Sequence, residues 1–352
     1  MTALKIILVV FVVCWILAFV FSRLYRSERR PDVIYYVPTT DGWKIALSRF
    51  FPNKEKSDDK KLPVVLCHGL SGNSNAFNFS ERISLARTLA AEGYEVFAID
   101  YRGAGWTGYP KLNSGLSRKW IFDDYLDKDI PAGIDKALEL TGASQVHYVG
   151  HSMGGMLLYA LLQGPHKDKI ATAATLASPG AIDEYKPVAA LSKVITLIPT
   201  IHIGWLSKLT APLAEMLPVI QKMVGNVELE RGHTARAHVN TVDNVPSALL
   251  AQFAKWASEG RFLLADGRDV SSNRAEINTP LMFVVGTSDL TVSPASVKRV
   301  FDEIGSERKE FHFMGKEHGH QSRYGHNSVV FGKTADREVY PLIIEWLSKY
   351  TA

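Results

Sequence analysis

The run VHYVGHSMGGMLLYALL, Val146 to Leu162, passes from β-forming residues through Gly150-His151-Ser152-Met153-Gly154 into an apolar helix with no intervening loop. A corner that tight between a buried strand and a helix strains the serine backbone and lifts its hydroxyl above the sheet. Gly150 and Gly154 must therefore lack side chains. The same corner aims the hydroxyl at a helix N-terminus, where free N–H groups and the helix dipole favour an anionic intermediate. A serine hydroxyl is a poor nucleophile unaided, so Ser152 implies a histidine base and an orienting acid from elsewhere in the chain.

The surrounding pattern supplies the scaffold. Val33 to Phe51 alternates as two strands about Thr39-Thr40-Asp41-Gly42, and Leu62 to Cys67 reads as a strand buried on both faces. Helix and strand then alternate: a helix near Ser80 to Glu92, a strand from Tyr94 to Asp100, a helix near Asp123 to Leu140, a strand from Gln145 to Val149, a helix from Met153 to Gln163 and a strand from Ile170 to Ala177. This order implies an α/β chain with a mostly parallel, doubly wound sheet. Between Ala181 and Asn278 the alternation lapses into a greasy, proline-punctuated stretch. It resumes at Pro280 to Val285, continues through Glu310 to Met314 and closes on a helix near Ala335 to Tyr350. Residues 31–180 and 279–352 thus read as one core, and 181–278 as an inserted helical cap.

The acid should follow a later strand at the same sheet edge, and Asp289 in Gly286-Thr287-Ser288-Asp289 does; an aspartate there also suits a turn or N-cap ahead of Pro294. For the base, His318, His320 and His326 all lie between the last strand and the last helix. With these residues assembled, the chain resembles an α/β-hydrolase of the acid-lipase and carboxylesterase group. Members tend to carry a catalytic histidine, a short apolar run with glycine, then an alanine and an aromatic-rich last helix. Tyr324-Gly325-His326-Asn327-Ser328-Val329-Val330-Phe331-Gly332, with Ala335 and Val339-Tyr340 beyond, is similar. The resemblance implies His326 as base, with His318 and His320 in reserve; it departs from the pattern at Ser328, where members often have aspartate. Cys67-His68-Gly69-Leu70 resembles the family's oxyanion motif, which implies the backbone N–H groups of Leu70 and Met153 as oxyanion donors. Gly69 would permit close approach, and His68 would organise the loop. Thr40-Asp41-Gly42 and Asp100-Tyr101-Arg102-Gly103 also resemble family segments and read as structural.

The N-terminus sets the chain's surroundings. Ile6 to Phe21 carries no charge and, with its neighbours, approaches the ~20 residues that span a bilayer as a helix. Residues 1–30 read as an anchor and basic tether rather than a cleaved signal, since no small-x-small site follows. Arg23, Arg26, Arg29 and Arg30 lie beyond it, so the positive-inside tendency puts the body on the cytoplasmic side. Against 40 basic and 36 acidic side chains in 352 residues, that cluster is local, which excludes a nucleic-acid partner. Cys14 and Cys67 occupy positions that could hardly meet in a disulfide. His147, His151, His166, His202, His233 and His238 show no metal-ligand spacing and read as structural; no cofactor or metal is implied.

The expectation is a membrane-anchored serine hydrolase that cleaves carboxylic esters, hydrophobic or lipid-like, through an acyl-enzyme. An acyltransferase or thioesterase would use the same triad, and a binding protein on a retired hydrolase scaffold is the reading from another class. In the cap, Val194-Ile195-Thr196-Leu197-Ile198 and Ile201 to Leu206 fit either an apolar roof over the site or ordinary core.

Overall fold

The computed structural model describes residues 2–27, 29–58, 60–111, 113–180, 198–223 and 225–351. One sheet organises it: β1 (Val33–Pro38), β2 (Lys44–Phe50), β3 (Val64–Cys67), β4 (Val96–Asp100), β5 (Val146–His151), β6 (Ile170–Leu176), β7 (Leu281–Gly286) and β8 (Lys309–Met314). The spatial order is β1-β2-β4-β3-β5-β6-β7-β8. The β1–β2 hairpin and the β2–β4 pairing are antiparallel, and every later pairing is parallel. An antiparallel hairpin therefore edges a parallel sheet, an arrangement that requires helices on both faces.

The central strands encode this with unbroken apolar runs, Val64 to Cys67 in β3 and Val96 to Ile99 in β4. Val65, Cys67, Phe97 and Ile99 enter one core, while their neighbours Val64, Leu66, Val96 and Ala98 enter the other. The first core is closed by α3 (Ile130–Thr141) and α4 (Met153–Leu161), the second by α2 (Leu85–Ala91) and the C-terminal helix Tyr340–Ser348.

Helix boundaries differ from the sequence expectation for local reasons. The helix expected near Ser80 begins at Leu85, because the Ser84 hydroxyl accepts the Arg87 N–H at 3.1 Å and caps it there. The lead-in to α3 contains a π-turn, Tyr125–Asp129, just ahead of Pro131, which has no N–H for the Asp127 carbonyl. The last helix divides at Val339 into Ala335–Glu338 and Tyr340–Ser348, again beside a proline, Pro341.

Between β6 and β7 the chain leaves the sheet. The described part holds α5 (Ile203–Met216), α6 (Pro218–Met223), α7 (His233–Asn240) and α8 (Ser247–Glu259), with a two-residue ladder between Thr200–Ile201 and Val245–Pro246. Val194 to Leu197 of the apolar run lie outside the described residues. At the N-terminus, α1 (Thr2–Leu24) includes Lys5–Leu24, long and apolar enough to cross a membrane, with mean hydropathy 2.7. One side of α1 lies along α5: the Phe11 and Trp205 rings stack with centroids 6.5 Å apart, and Tyr25 packs on Ala211, Ala235 and Val239. Cys14 and Cys67 are both free thiols.

The hairpin and strand-exit segments that the sequence marks as structural meet through one buried cation. Arg102 donates to Asp41 at 2.7 Å, and both its side chain and its backbone N–H reach Asp129, which is fully buried. Removing one partner of a buried pair leaves an uncompensated charge. Arg102→Leu is therefore expected to cost about 3–5 kcal/mol in urea unfolding; a loss below ~1 kcal/mol would mean the cluster is dispensable.

Candidate active site

β5 ends at His151 and α4 begins at Met153, which leaves Ser152 alone at the corner with φ 54° and ψ −119°. A side chain resists this left-handed region at a cost of roughly 1–3 kcal/mol, so surrounding contacts must hold it. They do. The Ser152 N–H donates to the Leu176 carbonyl at 2.9 Å, and α4 comes so close to β3 that a Cβ on Gly154 would sit 2.2 Å from the Cys67 carbonyl oxygen. Gly150 is equally confined, 2.6 Å from the Gly154 backbone by the same measure.

The loop after β3 covers the serine from the other side, where a Cβ on Gly69 would meet the Ser152 Cβ at 2.9 Å. Leu70 and Met153 follow Gly69 and Ser152 in the chain, and among the described residues neither amide N–H has a protein acceptor. His68 turns away from the serine: its Nδ1 pairs with the Gly69 carbonyl at 2.8 Å, and burial pushes its pKa down to about 4. A neutral ring bracing the loop fits the organising role expected from the sequence.

Three side chains line up across the corner. His326 Nε2 lies 2.9 Å from Ser152 Oγ, and His326 Nδ1 lies 2.9 Å from Asp289 Oδ2. Asp289 serves two purposes at once. Its other oxygen accepts the Thr291 and Val292 N–H groups at 2.7 and 2.9 Å, forming the turn that precedes the helix Pro294–Glu303, while Oδ2 faces the imidazole. His318 and His320 are not in this line. The His318 ring stacks on Phe313, and His320 bonds back to the Gly315 backbone.

Four neighbours carry no sequence signal of this role. His151, read as structural, points its Nε2 at the His326 carbonyl at 3.0 Å, so the residue before the serine braces the residue that pairs with it. In the inserted segment, Gly225 lies against the His326 Cβ, its carbonyl accepts the Asn327 N–H at 3.0 Å, and Asn226 accepts from the Asn327 side chain at 2.9 Å. Asp243, also inserted, bonds to the loop beyond Gly69 and to the Gly105 N–H. A small cleft beside Gly69 and Met153 is lined by the polar side chains His68, Arg102 and Asp243 as well as the apolar Val245 and Leu249. Among the described residues no group of three His, Cys, Asp or Glu side chains is placed to hold a metal ion.

The family profile described as serine aminopeptidase, S33 matches residues 58–321. Lipase lipl-1 of Caenorhabditis elegans is 32% identical over 147 residues, 40% of this chain and 36% of that protein. The lysosomal acid lipase/cholesteryl ester hydrolase of Homo sapiens is 36% identical over 130 residues, 35% of this chain and 33% of that protein. The matched regions thus span about a third of those relatives' length. A soluble variant of monoglyceride lipase from Saccharomyces cerevisiae superposes with a TM-score of 0.63 at 17% identity, covering 93% of this chain and 98% of that one, a likeness of fold.

Burial, reinforced by the neighbouring His326, pushes the His151 pKa down to about 3. The folded value is depressed, so on acidification below ~6.5 the unfolded chain takes up a proton that the native state refuses, and His151 opposes folding in the window from ~6.5 down to ~3. His151→Gln removes this effect. The stability gap between wild type and variant, measured by urea unfolding, is expected to move in the variant's favour by up to ~1.4 kcal/mol per pH unit across that window. A gap constant from pH 7 to pH 4 would contradict the assignment.

Proposed function

From the chain's membership of the serine aminopeptidase S33 family, an α/β-hydrolase family, we infer that it hydrolyses carboxylic esters. The single observation that carries this reading is the continuous line from Asp289 through His326 to Ser152, each link 2.9 Å long. In the proposed reaction Ser152 Oγ attacks the ester carbonyl and passes its proton to His326 Nε2. Asp289 holds the imidazole in the matching tautomer and stabilises its positive charge. The oxyanion is met by the Leu70 and Met153 N–H groups. His326 then returns the proton to the departing alcohol, and a water activated by the same ring releases the acyl group from Ser152.

Hydrophobic acyl esters are the proposed substrates. Relatives named as lipases support this. The inserted segment would act as a cap, and α1 as a membrane anchor with the body on the cytoplasmic side of its arginine cluster. The surface of α5 supports membrane contact for the cap as well. Its small residues Gly204, Ser207, Ala211 and Ala214 are buried, whereas Leu206, Leu213 and Met216 are 53%, 49% and 76% exposed. That order inverts the amphipathicity of a water-facing helix and suits a helix against lipid. Within the Ile201 to Leu206 run, Ile203 packs on the main core and Trp205 stacks on Phe11 of α1.

Ser152→Ala and His326→Ala are each expected to lower kcat for a soluble ester by on the order of 10⁵–10⁶, since nucleophile and base act as a unit. His318→Ala and His320→Ala should stay within about threefold of wild type. An active His326→Ala beside an inactive His320→Ala would reassign the base.

Trp205→Asp is expected to reduce hydrolysis of long-chain esters in vesicles at least tenfold more than that of soluble acetate esters. Equal loss on both, with a lower Tm, would make Trp205 a simple packing residue.

A further inference from the structure

We propose that Asp243 of the cap is a positioning residue for the oxyanion loop, fixing the Ser71 end of the turn whose Gly69–Leu70 peptide carries the Leu70 N–H; the proposal rests on the esterase reading above. Gly69-Leu70-Ser71-Gly72 is a turn closed by Gly72 N–H donating to the Gly69 carbonyl at 3.1 Å. Ser71 within it has φ 54°, a left-handed conformation for a residue with a side chain. Such a turn is bistable unless its peptide units are pinned from outside.

Two elements pin it. On the sheet side, His68 Nδ1 takes the Gly69 carbonyl at 2.8 Å. On the cap side, the Asp243 N–H donates to the Ser71 carbonyl at 2.7 Å, and Asp243 Oδ2 accepts the Asn73 side-chain amide at 2.8 Å. The same oxygen accepts the Gly105 N–H at 2.8 Å, tying the turn to the loop after β4. His68 thus holds the Gly69–Leu70 peptide and the Asp243 backbone holds the Ser71–Gly72 peptide, while the Asp243 carboxylate fixes that backbone against Asn73 and Gly105.

The direction of these bonds argues against a role confined to the cap's own folding. Both donors to the carboxylate come from loops over the sheet, at sequence separations of 170 and 138 residues. Asn73 in turn caps the short helix Ser74–Asn78 by accepting the Asn75 N–H at 3.1 Å, so the pull of Asp243 reaches a rigid element. Above, α5 rests directly on this segment: a Cβ on Gly204 would meet the Val242 carbonyl at 2.9 Å. The cap therefore completes the oxyanion site from outside the sheet, where the sheet loops alone would leave one carbonyl of the turn free.

The test is steady-state kinetics of the full chain in detergent micelles on a short ester, p-nitrophenyl acetate, and a long one, p-nitrophenyl decanoate. Asp243→Ala keeps the backbone bond to Ser71 but removes the carboxylate that fixes that backbone to Asn73 and Gly105; since every ester forms the oxyanion, it is expected to lower kcat about 10- to 100-fold on both, with KM within about threefold. Asp243→Asn, whose amide oxygen still accepts from Asn73 and Gly105, should stay within about threefold. Asn73→Ser keeps a helix cap but cannot reach Asp243, and should repeat the loss seen for Asp243→Ala; it also decides the matter if Asp243→Ala does not fold. Wild-type kcat in Asn73→Ser, a loss confined to the decanoate, or a rise in KM alone would overturn the proposal and leave the esterase reading intact. A wild-type chain no more active than Ser152→Ala on either ester would overturn both.

Discussion

The left-handed backbone at Ser152 is the constraint on which the rest depends. A residue with φ 54° survives there because β5, the start of α4 and the end of β6 close around it, and that closure is possible only where two glycines let backbones touch. Once the corner is set, the hydroxyl stands above the carboxyl edge of the sheet. Whatever pairs with it must come from loops at that same edge. The loops after β3, β7 and β8 do so, bringing Leu70, Asp289 and His326 from widely separated positions to one side of the molecule.

The strands and the elbow were legible because each is a local pattern. β3 and the Val96 to Ile99 run of β4 are continuously apolar, which marks burial on both faces, and Gly-x-Ser-x-Gly between strand and helix has one geometric meaning. Helix ends were less so. The start of α2 depends on a single hydroxyl, Ser84, and the breaks near Pro131 and Pro341 depend on carbonyls left without donors. Choosing among His318, His320 and His326 needed a family resemblance, since their spacing alone does not say which ring reaches the serine. Asp289 carried two readings, turn and acid; one of its oxygens accepts the Thr291 N–H of the turn and the other faces the His326 ring.

The inserted segment was the least legible part, and the reason is physical. Its functional contacts are single hydrogen bonds to residues far away in sequence, such as Asn226 with Asn327 and Asp243 with Asn73, which leave no periodicity to read. Yet these contacts fall on two loops beside Ser152, one on the loop that carries His326 and one on the loop after β3. The same segment meets α1 through Trp205 and Phe11, so a continuous run of packing links the apolar N-terminal helix to the loop beside Ser152.

The central claim is that Ser152 is the residue that becomes acylated. Treating the full chain with a fluorophosphonate and mapping the adduct by peptide mass spectrometry tests it most directly. The account predicts one stoichiometric adduct on the peptide bearing Ser152, lost in His326→Ala. An unmodified Ser152 peptide, or an adduct on another residue, would contradict it.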